Sequence, residues 1–238
     1  MSKKRNKAAR RAKSSGGGGL LQEPIKINWW VIGGVVVALA LVVYYSMSQS
    51  EKPTASAGAG AGDCSNGPTS TQYASAPEMT IDPAKQYTAT FTLEKGGQFV
   101  VQLYPDKAPI TVNSFVFLAR DGYFNCVTFH RVLEGFMAQG GDPIGSGSGG
   151  PGYEFVNEDS DLKFDKAGVV AMANAGRDTN GSQFFITFDA ASFLDGGYTI
   201  FGQVIEGMDV VNGVTRRDPD QNPAFTGDVI RSVTIAEK

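Results

Sequence analysis

The chain contains an apolar run without one charged side chain, from Trp29 to Tyr45. With its uncharged neighbours the run covers residues 27–47, close to the ~20 residues that a membrane-spanning helix needs. Aromatic pairs stand at both ends, where a half-wet ring suits the headgroup layers of a bilayer. The run is apolar on every side, whereas a helix of a globular core is apolar on one face. We therefore predict a transmembrane helix over residues 27–47.

Charge separates the two ends of the 238-residue chain. Residues 1–28 hold eight Lys or Arg and one Glu, a net of +7, so the remainder carries −10 of the total of −3. A basic segment beside an apolar run favours the anionic cytoplasmic face of a membrane over nucleic acid as its partner. We predict a disordered cytoplasmic segment over residues 1–26. We therefore expect a single-pass protein of the cell membrane, with its N-terminus in the cytoplasm and its C-terminal domain outside.

A cleaved signal peptide is the alternative for the apolar run. Signal peptides have a short basic region and a small-residue cleavage site directly after the apolar stretch. Here the basic region is long, and the Ala-x-Ala at residues 55–57 lies well beyond the run. An uncleaved anchor is therefore favoured.

Residues 48–80 are rich in Ser, Ala, Gly and Pro and hold few large apolar side chains. Such a segment cannot bury enough surface to offset the entropy of ordering, so we predict a flexible linker. One compact domain over residues 81–238 follows it.

Two cysteines, Cys64 and Cys126, are present. Exported cysteine pairs are usually oxidised, so a disulfide between them is one hypothesis and two unrelated thiols is the other. The chain has one histidine, and neither cysteine has a partner at metal-ligand spacing. We expect neither a metal nor a cofactor.

From Tyr87 onward the pattern is that of short strands separated by glycine. Residues 88–93 and 98–103 predict a hairpin around Gly96-Gly97, and residues 111–120 predict a helix with Thr111 as its N-cap. Further short strands are predicted around 129–133, 137–140, 169–173, 183–187, 199–204 and 229–236, with a short helix at 208–214. The fold class is mainly β, an antiparallel barrel closed by two helices.

Two segments place a cation or several amides among Phe and Met residues: FHRVLEGFMAQGGD at 129–142 and ANAGRDTNGSQFF at 173–185. Together they resemble the two signature segments of cyclophilin-type peptidyl-prolyl isomerases, and the resemblance covers roughly Thr90 to Glu237. It implies an eight-stranded antiparallel β-barrel capped by two α-helices. It also implies proline-containing polypeptides as substrates. With the predicted anchor, we expect a membrane-anchored bacterial form of this family.

The chemistry that the resemblance implies is rotation about an X-Pro bond. Rotation must break amide resonance, with a barrier of about 18–20 kcal/mol, and no covalent bond needs to form. A catalyst can hold the proline ring and place a donor where the nitrogen lone pair develops. Arg131, always charged and with several N–H groups in one plane, is the candidate donor. The expected function is isomerisation of X-Pro bonds in exported or envelope proteins.

Strand alternation separates a binding face from a core face. In residues 183–188, Gln183 and Phe185 share one face, while Phe184, Ile186 and Phe188 share the other. The predicted catalytic residues are Arg131, Gln139 and Asn174. The predicted substrate-binding residues are Phe136, Met137, Ala173, Gln183, Phe185, Phe193, Leu194 and Tyr198.

Two positions depart from the best-known cyclophilins, which often have Trp where Phe193 stands and His where Tyr198 stands. An indole N–H donates a hydrogen bond that a phenyl ring cannot. We expect proline turnover to be retained and binding of cyclosporin-like cyclic peptides to be weaker.

Other readings of the sequence are weaker. Residues 145–150 match G-x-G-x-x-G, but a dinucleotide site needs a strand before that motif and a helix after it. A Ser-His-Asp hydrolase would have to use His130, and no Gly-x-Ser-x-Gly elbow is present. The main rival is a non-enzymatic chaperone or assembly module that binds proline segments. We expect a monomer that does not bind nucleic acid.

Overall fold

The computed structural model describes residues 64–238. The predicted cytoplasmic segment at 1–26, the predicted transmembrane helix at 27–47 and the start of the predicted linker lie outside the described residues. Within residues 64–238, no helix combines the length and the apolar character that crossing a bilayer requires.

Eight strands and two α-helices make up the described domain. The strands are β1 (Tyr87–Leu93), β2 (Gln98–Leu103), β3 (Arg131–Leu133), β4 (Met137–Gly140), β5 (Val169–Met172), β6 (Phe184–Thr187), β7 (Ile200–Glu206) and β8 (Ile230–Glu237); the helices are α1 (Pro109–Arg120) and α2 (Met208–Asn212). Short 3-10 turns lie at Cys64–Asn66, Ser192–Leu194 and Pro219–Gln221. The strands form one antiparallel sheet in the order β3-β4-β6-β5-β7-β2-β1-β8. The predicted mainly β class with eight antiparallel strands and two helices is confirmed.

The two edges of the sheet meet through the residues that precede β3 and β8. Thr128 bridges Val229, and the Phe129 N–H donates to the Asp228 carbonyl oxygen at 2.9 Å. These bonds join the two edges of the sheet at one point, as closure does in a barrel.

Helix α1 begins two residues before the predicted start, and the predicted Thr111 N-cap is wrong. Pro109 occupies the first turn, where its fixed φ suits a helix and its missing N–H costs nothing. The Glu158 carboxylate accepts the N–H groups of Ile110 (2.9 Å) and Thr111 (2.8 Å). A carboxylate distant in sequence therefore caps the helix, and no local pattern signals it.

The sheet carries an apolar cluster on each of its faces. In β6, Phe184 and Ile186 belong to the core between the sheet and α1, whereas Phe185 belongs to a second cluster on the opposite face. Near the centre of the core, the Phe115 ring lies 4.9 Å from Phe124 and 5.3 Å from Phe201 between centroids. The predicted alternation of 184–186 is confirmed, and both faces of β6 are buried.

The segment 64–80 differs from the predicted flexible linker because it contacts the domain along its length. Cys64 is disulfide-bonded to Cys126, with Cα atoms 5.2 Å apart, so the disulfide hypothesis is confirmed. The Tyr73 ring packs edge-on against Phe117, with centroids 5.1 Å apart. The composition of the segment does not predict these contacts, because one disulfide and one aromatic ring hold a segment that is otherwise poor in apolar side chains.

Candidate active site

Strand register brings a cation, an amide and a ring into one row on the outer face of the sheet. In the antiparallel pairings, Arg131 of β3 lies opposite Gln139 of β4, which lies opposite Phe185 of β6. Directly opposed residues project to the same face of a sheet, with Cβ atoms about 4.5–5.5 Å apart. Residues 131 and 185, far apart in sequence, therefore lie on the same face with only Gln139 of β4 between them.

A cavity of about 190 Å³ opens over this row. It is lined by nine of the predicted residues: Arg131, Phe136, Met137, Gln139, Ala173, Asn174, Phe185, Leu194 and Tyr198. The predicted Gln183 lines an adjoining groove instead. Phe193 lies outside both sets of lining residues; the residue is 76% exposed, and its ring centroid lies 5.5 Å from that of Phe136.

Aromatic contacts fix the apolar floor of the cavity. Phe185 is stacked on Phe164 at 5.8 Å and meets Tyr198 edge-on at 5.4 Å, both between ring centroids. Met137 is buried in the same cluster. Since packed rings occupy single rotamers, the floor is a preformed apolar surface that suits a small ring such as that of proline.

A chain of amide hydrogen bonds sets the orientation of the polar wall. Gln183 Nε2 donates to the carbonyl oxygens of Gly147 (3.0 Å) and Gly149 (2.9 Å), so its Oε1 faces away from that loop. This Oε1 accepts from Gln139 Nε2 at 2.9 Å, and Gln139 Oε1 in turn accepts from Arg131 Nη1 at 3.5 Å. The network therefore presents a carbonyl oxygen to the guanidinium and holds it in the cavity wall.

The Asn174 side chain forms hydrogen bonds to two backbone groups. Its Oδ1 accepts from the Gly176 N–H at 3.2 Å, and its Nδ2 makes a long bond of 3.4 Å to the Gly197 carbonyl oxygen. The weak second bond leaves Nδ2 available to a ligand at small cost. Asn174 lines both the cavity and the adjoining groove.

The glycine-rich loop at 145–150 is organised by a buried carboxylate. Asp142 accepts the backbone N–H groups of Ile144 (2.8 Å), Gly147 (2.6 Å) and Gly149 (3.2 Å). Burial by itself raises the pKa of Asp142, but these three donors outweigh it, and the pKa lies below its ordinary value. The next helical turn along the chain starts only at Ser192, so this loop lacks the context of a dinucleotide site.

His130 lies beneath that loop and is 2% exposed. Burial lowers the pKa of its imidazole, and the positive charges of Arg217 and Arg131 act in the same direction against the opposing effect of Asp142. Within residues 64–238, neither ring nitrogen is hydrogen-bonded to a serine hydroxyl. The structure therefore assembles no Ser-His-Asp triad.

Two groups near the site were not identified from the sequence. Asp142 had a usable signal, because a carboxylate before a run of glycines suits a loop whose N–H groups converge on one anion. Gln72 lines the groove next to the cavity, and no sequence signal identified it, because it lies in a segment whose composition predicts a linker.

Comparison with known proteins agrees with this geometry. The family model described as "Cyclophilin type peptidyl-prolyl cis-trans isomerase/CLD" matches residues 88–235. Peptidyl-prolyl cis-trans isomerase-like 1 of Mus musculus is 48% identical over 59% of this chain and 85% of its own length. The protein of the same name from Aspergillus oryzae is 44% identical over 59% of this chain and 91% of its own.

A crystal structure of a cyclophilin type peptidyl-prolyl cis-trans isomerase from Cryptosporidium parvum, determined in the presence of the dipeptide Ala-Pro, is also similar. It has a TM-score of 0.56 and 31% identity, covering 63% of this chain and 99% of that one. The chain belongs to the cyclophilin-type peptidyl-prolyl cis-trans isomerases. The relatives named here are eukaryotic, so they give no support to the expected bacterial form.

We predict that His130 stays neutral in the folded protein below the ordinary histidine pKa of 6.5. Since the pKa of His130 is lowered on folding, the unfolded chain binds more protons than the folded chain below pH 6.5. The free energy of unfolding therefore decreases as the pH is lowered through that range. His130 is the only histidine, so one imidazole NMR signal reports its titration. A His130→Gln variant should show a flatter fall in unfolding free energy between about pH 6.5 and pH 5. A titration midpoint at or above 6.5 would contradict the prediction.

A second prediction concerns Phe193, which occupies the exposed rim beside Phe136. Phe193→Trp adds an indole N–H, and we expect the inhibition constant for cyclosporin to fall by roughly threefold to tenfold, the effect of one added hydrogen bond. Phe193→Leu, which has no donor, is the control and should not gain affinity. Equal inhibition constants for wild type and Phe193→Trp would refute it.

Proposed function

We propose that the protein accelerates rotation about X-Pro bonds in exported or envelope polypeptides, with Arg131 stabilising the twisted amide. The observation that carries this proposal is the position of the Arg131 side chain. It lines the same cavity as Phe136, Met137 and Phe185, so one site offers both an apolar surface for the proline ring and a fixed cation.

The mechanism uses no covalent step. In the planar amide the nitrogen lone pair is delocalised, and in the twisted amide it is localised and accepts a hydrogen bond. Arg131 donates to that lone pair, so the site binds the twisted state more tightly than either planar isomer. Gln139, which lines the same cavity, supports the guanidinium through the 3.5 Å contact of its Oε1 to Arg131 Nη1.

The substrate backbone is held by the polar wall. Asn174, Gln139 and Gln183 supply the amide groups, and the small side chain of Ala173 lets the peptide approach. The crystal structure of the Cryptosporidium parvum relative with Ala-Pro supports a prolyl peptide as the ligand. The rival function, a non-enzymatic chaperone or assembly module, would need the same pocket but no donor at the rotating bond.

The proposed cellular setting is the outer side of a membrane. Its supports are the charge-free run from Trp29 to Tyr45, the basic residues before it and the disulfide in the domain. Disulfides persist in oxidising compartments and are rare in the reducing cytosol. The anchor holds the isomerase domain where exported polypeptides fold.

We predict that Arg131→Ala lowers kcat/KM for a prolyl peptide by roughly two to three orders of magnitude, the loss typical of one transition-state donor. The measurement is a protease-coupled isomerisation assay, with peptide affinity determined separately by calorimetry. Affinity should change much less than rate, because the donor acts mainly on the twisted amide.

Arg120→Ala is the matched control. Arg120 is also an arginine, but it lies on α1 and pairs with Glu237 at 2.7 Å. Its loss should leave kcat/KM within about twofold, since such surface ion pairs contribute little. If Arg131→Ala retained the wild-type rate, the assigned mechanism would be wrong, and a pocket that only binds would be favoured.

For the anchor, we predict that the full chain stays in the membrane pellet after alkaline carbonate extraction. External protease should reach its C-terminal domain. Val36→Asp with Val37→Lys should release the chain, because each charge costs about 2.5–3.5 kcal/mol at the centre of a membrane helix. Recovery of the unmodified full chain in the soluble fraction would overturn the anchor.

A further inference from the structure

The segment 64–80, which we name the N-terminal strap, forms a wall beside the candidate active site. We propose that the strap is a fixed part of the substrate groove and that Gln72 is a specificity-determining residue for substrate residues flanking the proline. The inference rests on the proposed isomerase function and adds to it a group from outside residues 88–235, the part of the chain that matches the family.

The strap is anchored at both ends. At its start, the Cys64–Cys126 disulfide joins it to the loop between α1 and β3. At its end, Asn113 of α1 accepts the Thr80 N–H at 2.9 Å and donates to the Glu78 carbonyl oxygen at 2.9 Å. The Asn113 side chain is buried, and an unpaired buried amide costs free energy. The strap supplies the hydrogen-bond partners of this amide.

Tyr73 holds the middle of the strap. Its backbone N–H donates to the Pro151 carbonyl oxygen at 2.8 Å, and its hydroxyl donates to Asp121 at 2.5 Å. The Tyr73 ring contacts Phe117 and Tyr153, with centroids 5.1 and 6.3 Å away. These contacts tie the strap to both helix α1 and the loop that borders the groove.

Gly152 shows that the loop and the strap fit closely. A Cβ at this position would lie 2.7 Å from the Tyr73 carbonyl oxygen, and the φ of +93° also favours glycine. Any other residue would therefore displace the strap from this loop. The absence of a side chain at residue 152 permits the backbone contact next to the groove.

Gln72 is the strap residue that reaches the groove. A groove of about 730 Å³ adjoins the proline cavity and shares Gln139, Ala173 and Asn174 with it. Gln72 lines this groove, and its Nε2 donates to the Gly150 carbonyl oxygen at 2.8 Å. A peptide with its proline in the cavity extends across the shared residues into the groove, where a flanking side chain meets Gln72.

The lining of the groove indicates which side chains it accepts. Glycine, serine and amide groups dominate, and Glu154 is the only charged side chain among its lining residues. Polar and cationic flanking residues therefore suit the groove better than acidic ones. Exposed charges interact weakly, so the preference is graded and is screened by salt.

The test compares two prolyl peptides that differ only in flanking Lys or Glu residues, assayed with the full chain. The readout is the ratio of kcat/KM for the Lys peptide to that for the Glu peptide. Gln72→Glu should raise this ratio about twofold to fivefold and Gln72→Lys should lower it similarly, with both effects fading at high salt.

Ser75→Glu and Ser75→Lys are the matched controls, because Ser75 is an exposed strap residue that does not line the groove. They change the net charge equally and should leave the ratio unmoved. If the Gln72 variants shift the ratio no more than the Ser75 variants while the wild type turns over both peptides, the inference fails and the proposed function stands. If the wild type turns over neither peptide, both fail.

A second measurement tests the anchoring of the strap. In the Cys64→Ser background, the effect of Gln72→Glu on the ratio should shrink, because the start of the strap is no longer fixed. An undiminished effect would show that the disulfide does not position Gln72, and that part of the proposal would be overturned.

Discussion

The register between β3, β4 and β6 is the constraint on which the rest of the site depends. It places Arg131 opposite Gln139 and Gln139 opposite Phe185, so that a cation, an amide and an apolar ring share one face. A slip of one residue would send each of these side chains to the other face of the sheet. The apolar clusters on both faces oppose such a slip, because it would exchange Phe184 for Phe185 in two differently shaped environments.

Around this row, different interactions position the side chains on the two sides of the site. The apolar side is held by ring packing, with Phe185 between Phe164 and Tyr198. The polar side is held by directional bonds that start at the glycine-rich loop and reach Arg131 through two glutamine amides. Asp142 fixes the loop itself, so a buried charge beneath the surface determines the orientation of groups in the cavity wall.

The N-terminal strap shows how residues that precede the family domain become part of its surface. The Cys64–Cys126 disulfide holds the start of the strap, the Tyr73 ring holds its middle, and the buried Asn113 of α1 holds its end. The entropy of ordering a polar segment is offset at these few points, so the intervening residues need little apolar surface of their own. Gln72 is thereby held beside the groove without being buried.

The sequence by itself determined the strand periodicity, the hairpin at Gly96-Gly97 and the two segments that identify the family, because these depend on residues adjacent in the chain. Strand alternation was also enough to separate Phe185 from Phe184. Only the tertiary structure decided that Glu158 caps α1, that Phe193 lies outside the cavity and that the strap joins the groove. These features depend on contacts between residues distant in sequence, and local pattern carries no information about which distant groups meet.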